Sequence, residues 1–245
     1  MGPCLGGVRP ATGDLGLPPV TGPISDWIGR NIMTRLYKTA VRYYNGVGVE
    51  KDWQKAFQLM GEAAAKGDTD ATVDVGAHYE HGIGTKPNRK RALELYREAA
   101  LAGNANAEYE MGVCFDRGIG VKRDYREAWR WFTAAAQAKI PEALHMLGMY
   151  TRYGTVISKD PRKGFELELN AAKAGVKEAQ FAVGVCYSRG EGVNADSKKA
   201  FKWYLAAAKQ GHKDAAHNLA VLYENGRGTK RNTAKAKFWR ERAKE

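Results

Sequence analysis

The chain has 245 residues, 44% of them apolar, and its 39 Lys and Arg against 27 Asp and Glu give a net charge of +12. That balance excludes a collagen-like or wholly disordered chain, and only three cysteines exclude a disulfide-stapled scaffold. No apolar run approaches the ~18 residues a membrane helix needs, so no membrane span is expected. What remains is a basic globular protein, expected to be intracellular and cytoplasmic, with mitochondria as the alternative.

Residues 1–23 hold six Gly and five Pro, too little apolar side chain to offset ordering entropy, and read as a flexible lead. The segment lacks the basic start and apolar stretch of a signal peptide. Pro3 and Gly6 do not suit acylation at Gly2, and one Arg with no Ser is a poor transit sequence. Residues 24–245 then form the folded unit.

That unit is periodic. A turn glycine recurs every 36 residues, at Gly46, Gly82, Gly118, Gly154, Gly190 and Gly226, with no insertion between copies. Before each glycine runs a helical stripe. Val75, Met111, Leu147, Val183 and Leu219 lie seven residues ahead of it, followed by a small residue (Ala40, Gly76, Gly112, Gly148, Gly184, Ala220). Three residues ahead of the glycine comes an aromatic (Tyr43, Tyr79, Phe115, Tyr187, Tyr223). The spacing puts these on one face, and the small residue admits a second helix at close range. The glycine suits the left-handed position that ends a helix.

After the turn, Asp52, Asn88, Asp124, Asp160, Asp196 and Asn232 are placed to cap a second helix. That helix carries Ala56, Ala92, Ala128, Ala200 and Ala236, then aromatics such as Tyr96, Phe132 and Tyr204, and closes at Gly67, Gly103, Gly175 or Gly211. No segment alternates with period two, so the predicted fold is all-α: six helix-turn-helix repeats stacked as a right-handed α/α superhelical solenoid. Repeat four departs from the pattern at Thr151, Val156, Gly164 and Glu168, and Lys139 replaces the closing glycine before it. Tolerated drift and adaptation to a partner both explain this.

The segment AQFAVGVCYSRGEGVNADSKKAFKWYLAAAKQGHKDA from Ala179, like its counterparts over roughly residues 35–245, closely resembles the Sel1-like repeat, a relative of the tetratricopeptide repeat. The resemblance implies a superhelical scaffold and a protein-protein adaptor role, since relatives serve quality-control complexes, cell-wall synthases and bacterial signalling. Cys114 and Cys186 share a column two repeats apart, on the order of 20 Å at about 10 Å per helix layer, too far for a disulfide. They are expected to be free thiols, unlike those of the family's secreted, cysteine-paired branch.

Two surfaces could hold a partner. The first helix of each pair should line the concave side, where Tyr37, Tyr109, His145, Phe181 and His217, then Met149, then Tyr44, Asp116, Arg152, Ser188 and Glu224 point away from the core stripe. Either neighbouring helices bury this stripe or it grips an extended or helical protein segment. The second surface is a basic ridge at the turn exit and the start of the second helix. It comprises Lys86, Arg89, Lys90, Arg91, Lys122, Arg123, Arg126, Lys159, Arg162, Lys163, Lys198, Lys199, Lys230 and Arg231. The six columns involved hold 17 Lys or Arg and six acids, so nearly all the net charge lies there. A solvated edge, an acidic protein partner and RNA in a ribonucleoprotein such as an organellar ribosome are the open readings; no stacking aromatics are expected among these charges.

Catalytic signatures do not emerge. The Gly-x-Gly turns join helix to helix and none continues as a phosphate loop, and no nucleophile elbow occurs. His78, Glu80 and His81 are a weak metal set. A non-enzymatic protein without cofactor or metal is expected.

Overall fold

The computed structural model of the chain describes residues 24–244, so the Gly/Pro-rich lead lies outside the described residues. Twelve helices follow one another: α1 (Ile24–Asn45), α2 (Trp53–Ala65), α3 (Thr69–His81), α4 (Arg89–Leu101), α5 (Ala105–Arg117), α6 (Tyr125–Gln137), α7 (Pro141–Tyr153), α8 (Pro161–Lys173), α9 (Lys177–Arg189), α10 (Ser197–Lys209), α11 (Lys213–Asn225) and α12 (Thr233–Arg242). Among the described residues there is no strand, and each predicted repeat is one antiparallel pair.

The ends of the helices follow local chemistry. Asp52, Asn88, Asp124, Asp160, Asp196 and Asn232 each accept a backbone N–H from the first turn of the second helix. From α3 onward, every first helix ends at its marker glycine in the left-handed region, with φ between 65° and 75°. Lys139 takes the closing-glycine position before repeat four at φ 67°, a conformation that costs a side-chain-bearing residue on the order of 1 kcal/mol.

Packing within a pair depends on the small column. A Cβ on Gly76 would sit 2.7 Å from the Tyr96 ring, on Gly112 2.5 Å from Phe132, and on Gly184 2.6 Å from Tyr204. Each ring therefore packs directly against the backbone of the helix it faces. Between repeats, a Cβ on Gly84, Gly120, Gly192 or Gly228 would collide with the carbonyl oxygen of Trp53, Arg89, Pro161 or Ser197. The second turn glycine thus seats each loop on the start of the preceding repeat's second helix.

First helices of neighbouring repeats touch one another (α3 with α5, α7 with α9), and no two second helices are in comparable contact. The row of first helices is therefore the shorter, concave side. The buried apolar side chains form three clusters along the array: one around Met60 and Val75, one from Ala92 to Tyr150, and one from Phe165 to Ala236. The break between the last two falls inside repeat four, between α7 and α8.

A pair of substitutions tests this packing. Gly112→Ala should destabilise by about 1–3 kcal/mol, because Phe132 has to move. Gly61→Ala, where nothing lies within 4 Å of the added methyl, should be neutral or stabilising by about 0.5–1 kcal/mol. Urea melts of both variants check the contrast.

Candidate functional site

The columns expected on the concave side are placed unevenly. Tyr37 is half-buried and its hydroxyl donates to Asp74 of the next repeat at 2.8 Å. Tyr44 lies against the His78 ring, and Tyr109, half-buried, against Phe132. Met149 is half-buried, and Phe181 stacks on His212 with 4.4 Å between ring centres. His217 is exposed.

Two residues differ from expectation. His145 is 9% exposed and Arg152 only 3% exposed, so neither is open to a partner. Burial pushes the His145 imidazole down to about 4, and its Nδ1 has no hydrogen-bond partner. Arg152 is held from both sides, donating to Glu168 at 3.1 Å and to Glu191 at 3.2 Å. Glu168 is fully buried, and burial holds its carboxyl above the usual range despite the guanidinium.

The reason lies in a pairing the sequence columns conceal. The residue two before the marker glycine faces the residue sixteen further on, in the second helix of the same repeat. In repeat two the Tyr96 hydroxyl donates to Glu80 at 3.1 Å. Repeat five sets Tyr204 against Ser188, and in repeat six Arg240 pairs with Glu224 at 2.6 Å. Repeat three has Phe132, with no hydroxyl, so Asp116 accepts from Tyr150 of the following repeat. In repeat four the polarity is inverted: the acid is on the second helix and the donor on the first. Gly164 belongs to the same arrangement, since a Cβ there would meet the Arg152 backbone and Cβ at 2.6–2.7 Å. The departures of repeat four are thus one compensated set. Spacing carried a signal for it, because Arg152 and Glu168 are opposite charges in columns that also pair in repeats two, five and six.

Three expected residues do meet at an opening. Phe181, Ser188 and His217, with Val185, Tyr204, Asn218 and Val221, line a cavity of about 430 Å³ on the concave side between repeats five and six. Tyr37, Tyr44, Tyr109, Asp116, Met149 and Glu224 do not reach it. All fourteen ridge residues, from Lys86 to Arg231, are exposed. One expectation about the ridge fails: Trp53 (48% exposed) and Tyr125 (39% exposed) stand at the first position of α2 and α6, among its charges.

His78 is buried, its Nδ1 2.7 Å from the Ile83 carbonyl, so it serves the turn. Among the described residues no three His, Cys, Asp or Glu side chains are arranged to hold a metal. Cys114 and Cys186 are buried and unpaired, and burial pushes both thiols up to about 12. No helix among the described residues is long and apolar enough to cross a membrane.

The Sel1 repeat model matches six successive segments: residues 36–68, 69–104, 105–139, 141–176, 177–212 and 213–245. The chain belongs to the Sel1 repeat family. A Sel1 repeat protein from Oxalobacter formigenes is 32% identical over 87% of this chain and 85% of its own, with a TM-score of 0.79. A protective antigen of uropathogenic Escherichia coli with the same repeat fold is 26% identical, with a TM-score of 0.69, over 90% of this chain and 48% of its own. An immunity protein of Pseudomonas aeruginosa shares the fold at 21% identity, over 93% of this chain and 83% of its own, with a TM-score of 0.58. No curated protein matches the sequence. Sel1 repeats typically mediate protein interactions and are usually non-catalytic.

Two measurements probe the polar interior of this Sel1 array. Glu168→Leu leaves the buried Arg152 guanidinium with Glu191 alone and should cost about 3 kcal/mol, while the double variant Arg152→Leu/Glu168→Leu should recover most of it. Glu110, beside Glu80, is raised to about 7, chiefly by burial and then by that neighbour. A carboxyl raised in the fold loses stability as pH climbs from about 4.5 through 7. Glu110→Gln should therefore raise the melting temperature at about pH 8 and change it little at about pH 5.

Proposed function

We propose that the protein is a non-enzymatic adaptor that holds an extended or helical segment of another protein in its concave groove. The observation that carries the reading is the open cavity between repeats five and six. There Phe181, Val185 and Val221 offer apolar surface, Ser188, His217 and Asn218 offer hydrogen bonds, and Arg189, Asp214 and Arg227 add charge to the lining. Val113, His145 and Arg152 of the facing stripe are buried in the middle of the array, whereas His217 at this cavity is exposed. Apolar surface interleaved with polar and charged groups suits recognition of a peptide's alternate side chains. Family membership supports the same reading.

Purification of the tagged protein from its own cells, after nuclease treatment, supplies the bound protein for the test. Val221→Lys, and separately the exposed His217→Glu, should weaken its capture at least about tenfold while leaving the helical melt in place, as expected for groups at the centre of a contact. Unchanged binding by both variants would refute the groove assignment.

A further inference from the structure

The basic edge has a feature that folding does not explain. First helices obey the dipole rule and carry an acid in their opening turn, as at Asp70, Glu142 and Asp214. Second helices reverse it: α2, α4, α8, α10 and α12 have no acid in the first turn, and Lys or Arg occupies it instead. Six positive helix ends and their cations thus line one edge of the array, repelling one another.

The acids interspersed there do little to neutralise them. Four of the six are the caps Asp52, Asp124, Asp160 and Asp196, whose carboxylates accept backbone N–H groups. Glu127 is tied to Arg130 at 2.7 Å. Of the ridge cations, Arg91, Arg162 and Lys199 have acidic neighbours, in exposed pairs that water readily replaces. An external anion is the natural counterpart.

Its kind is indicated by the two aromatics. Trp53 and Tyr125 are solvent-exposed at the same helix position two repeats apart, with Lys51 4.7 Å from the Trp53 ring centre and Arg123 5.8 Å from that of Tyr125. Beside Trp53 opens a shallow recess of about 620 Å³, lined also by Tyr43, Lys51 and Lys55 and by two carboxylates, the cap Asp52 and Glu50, the sixth acid of these columns. Flat faces set among fixed cations suit unpaired bases linked by phosphates; a carboxylate-rich peptide has nothing to stack on them. We propose that this edge binds a single-stranded nucleic acid, with its phosphates along the Lys/Arg ridge and bases stacked on Trp53 and Tyr125. The surface is separate from the concave groove and stands or falls independently of it.

The test is fluorescence anisotropy of the full chain with a labelled oligouridine, at low salt and then across a salt series. Binding should weaken with salt by a log–log slope of roughly −0.7 per phosphate engaged. Trp53→Ala/Tyr125→Ala should weaken it about tenfold or more with the slope unchanged, and Trp53→Phe should retain it. Lys198→Gln/Lys199→Gln should reduce the slope by about 1.4. Both variants change exposed groups, and circular-dichroism melts confirm their fold. The groove variant Val221→Lys should bind the oligouridine as the parent does. Absence of binding at low salt overturns the proposal, as does an aromatic double variant that binds undiminished. Equal competition by polyglutamate at matched charge also overturns it, and assigns the edge to an acidic protein.

Discussion

Everything in this array depends on one contact: a side chain of the second helix lying on bare backbone of the first. Where the first helix has glycine, a ring from its partner covers the peptide groups directly, and the two axes approach until ring and backbone are in van der Waals contact. The contact recurs in repeats two, three and five, and Ala40 and Ala220 keep the same position small in repeats one and six. The loops then propagate it, since each second turn glycine rests on the helix start of the repeat before. Local chemistry and long-range shape are the same constraint seen at two scales.

Repeat four shows how far that contact can be altered. Its Gly148 faces the Glu168 chain in place of a ring, and the polar head that this brings inside is matched by Arg152. A buried ion pair is poor evidence of added stability, because desolvation offsets most of its attraction. Its contribution is one of fit: the Glu168 carboxylate has one guanidinium in reach, and that pairing ties α8 to α7 in one arrangement. Val156 completes the difference. Among the described residues Lys139 is the one non-glycine at positive φ, so Val156 does not adopt the conformation its glycine counterparts use. It lies half-buried against the cluster that contains Phe132 and Tyr150.

The periodic elements were legible in the sequence because each is set by short-range rules. Caps such as Asp160 and Asn232, marker glycines such as Gly118, and the glycine–aromatic pairs all landed where spacing put them. Ridge cations such as Lys122 and Arg231 are exposed for the same reason: a fixed repeat maps a column onto one edge. The groove was legible only in part. Columns specify a direction on a helix, but burial depends on what the next helix brings, and Arg152 was drawn inward by an acid sixteen residues away. Trp53 and Tyr125 escaped notice because the column they share also holds Arg89, Pro161, Ser197 and Thr233, so no aromatic pattern stands out in it.

The break in the apolar clusters is bridged from both sides. Val156 of the connecting turn and Leu167 of α8 pack against the cluster that holds Phe132 and Tyr150, and Leu144 of α7 packs against the carboxyl-terminal cluster. The Arg152–Glu168 ion pair adds a buried polar contact to that exchange of apolar side chains. Helices that trade core residues in both directions are expected to open together. Local opening should therefore begin at the ends of the array, where a repeat has one neighbour in place of two, and leave the joint between α7 and α8 intact.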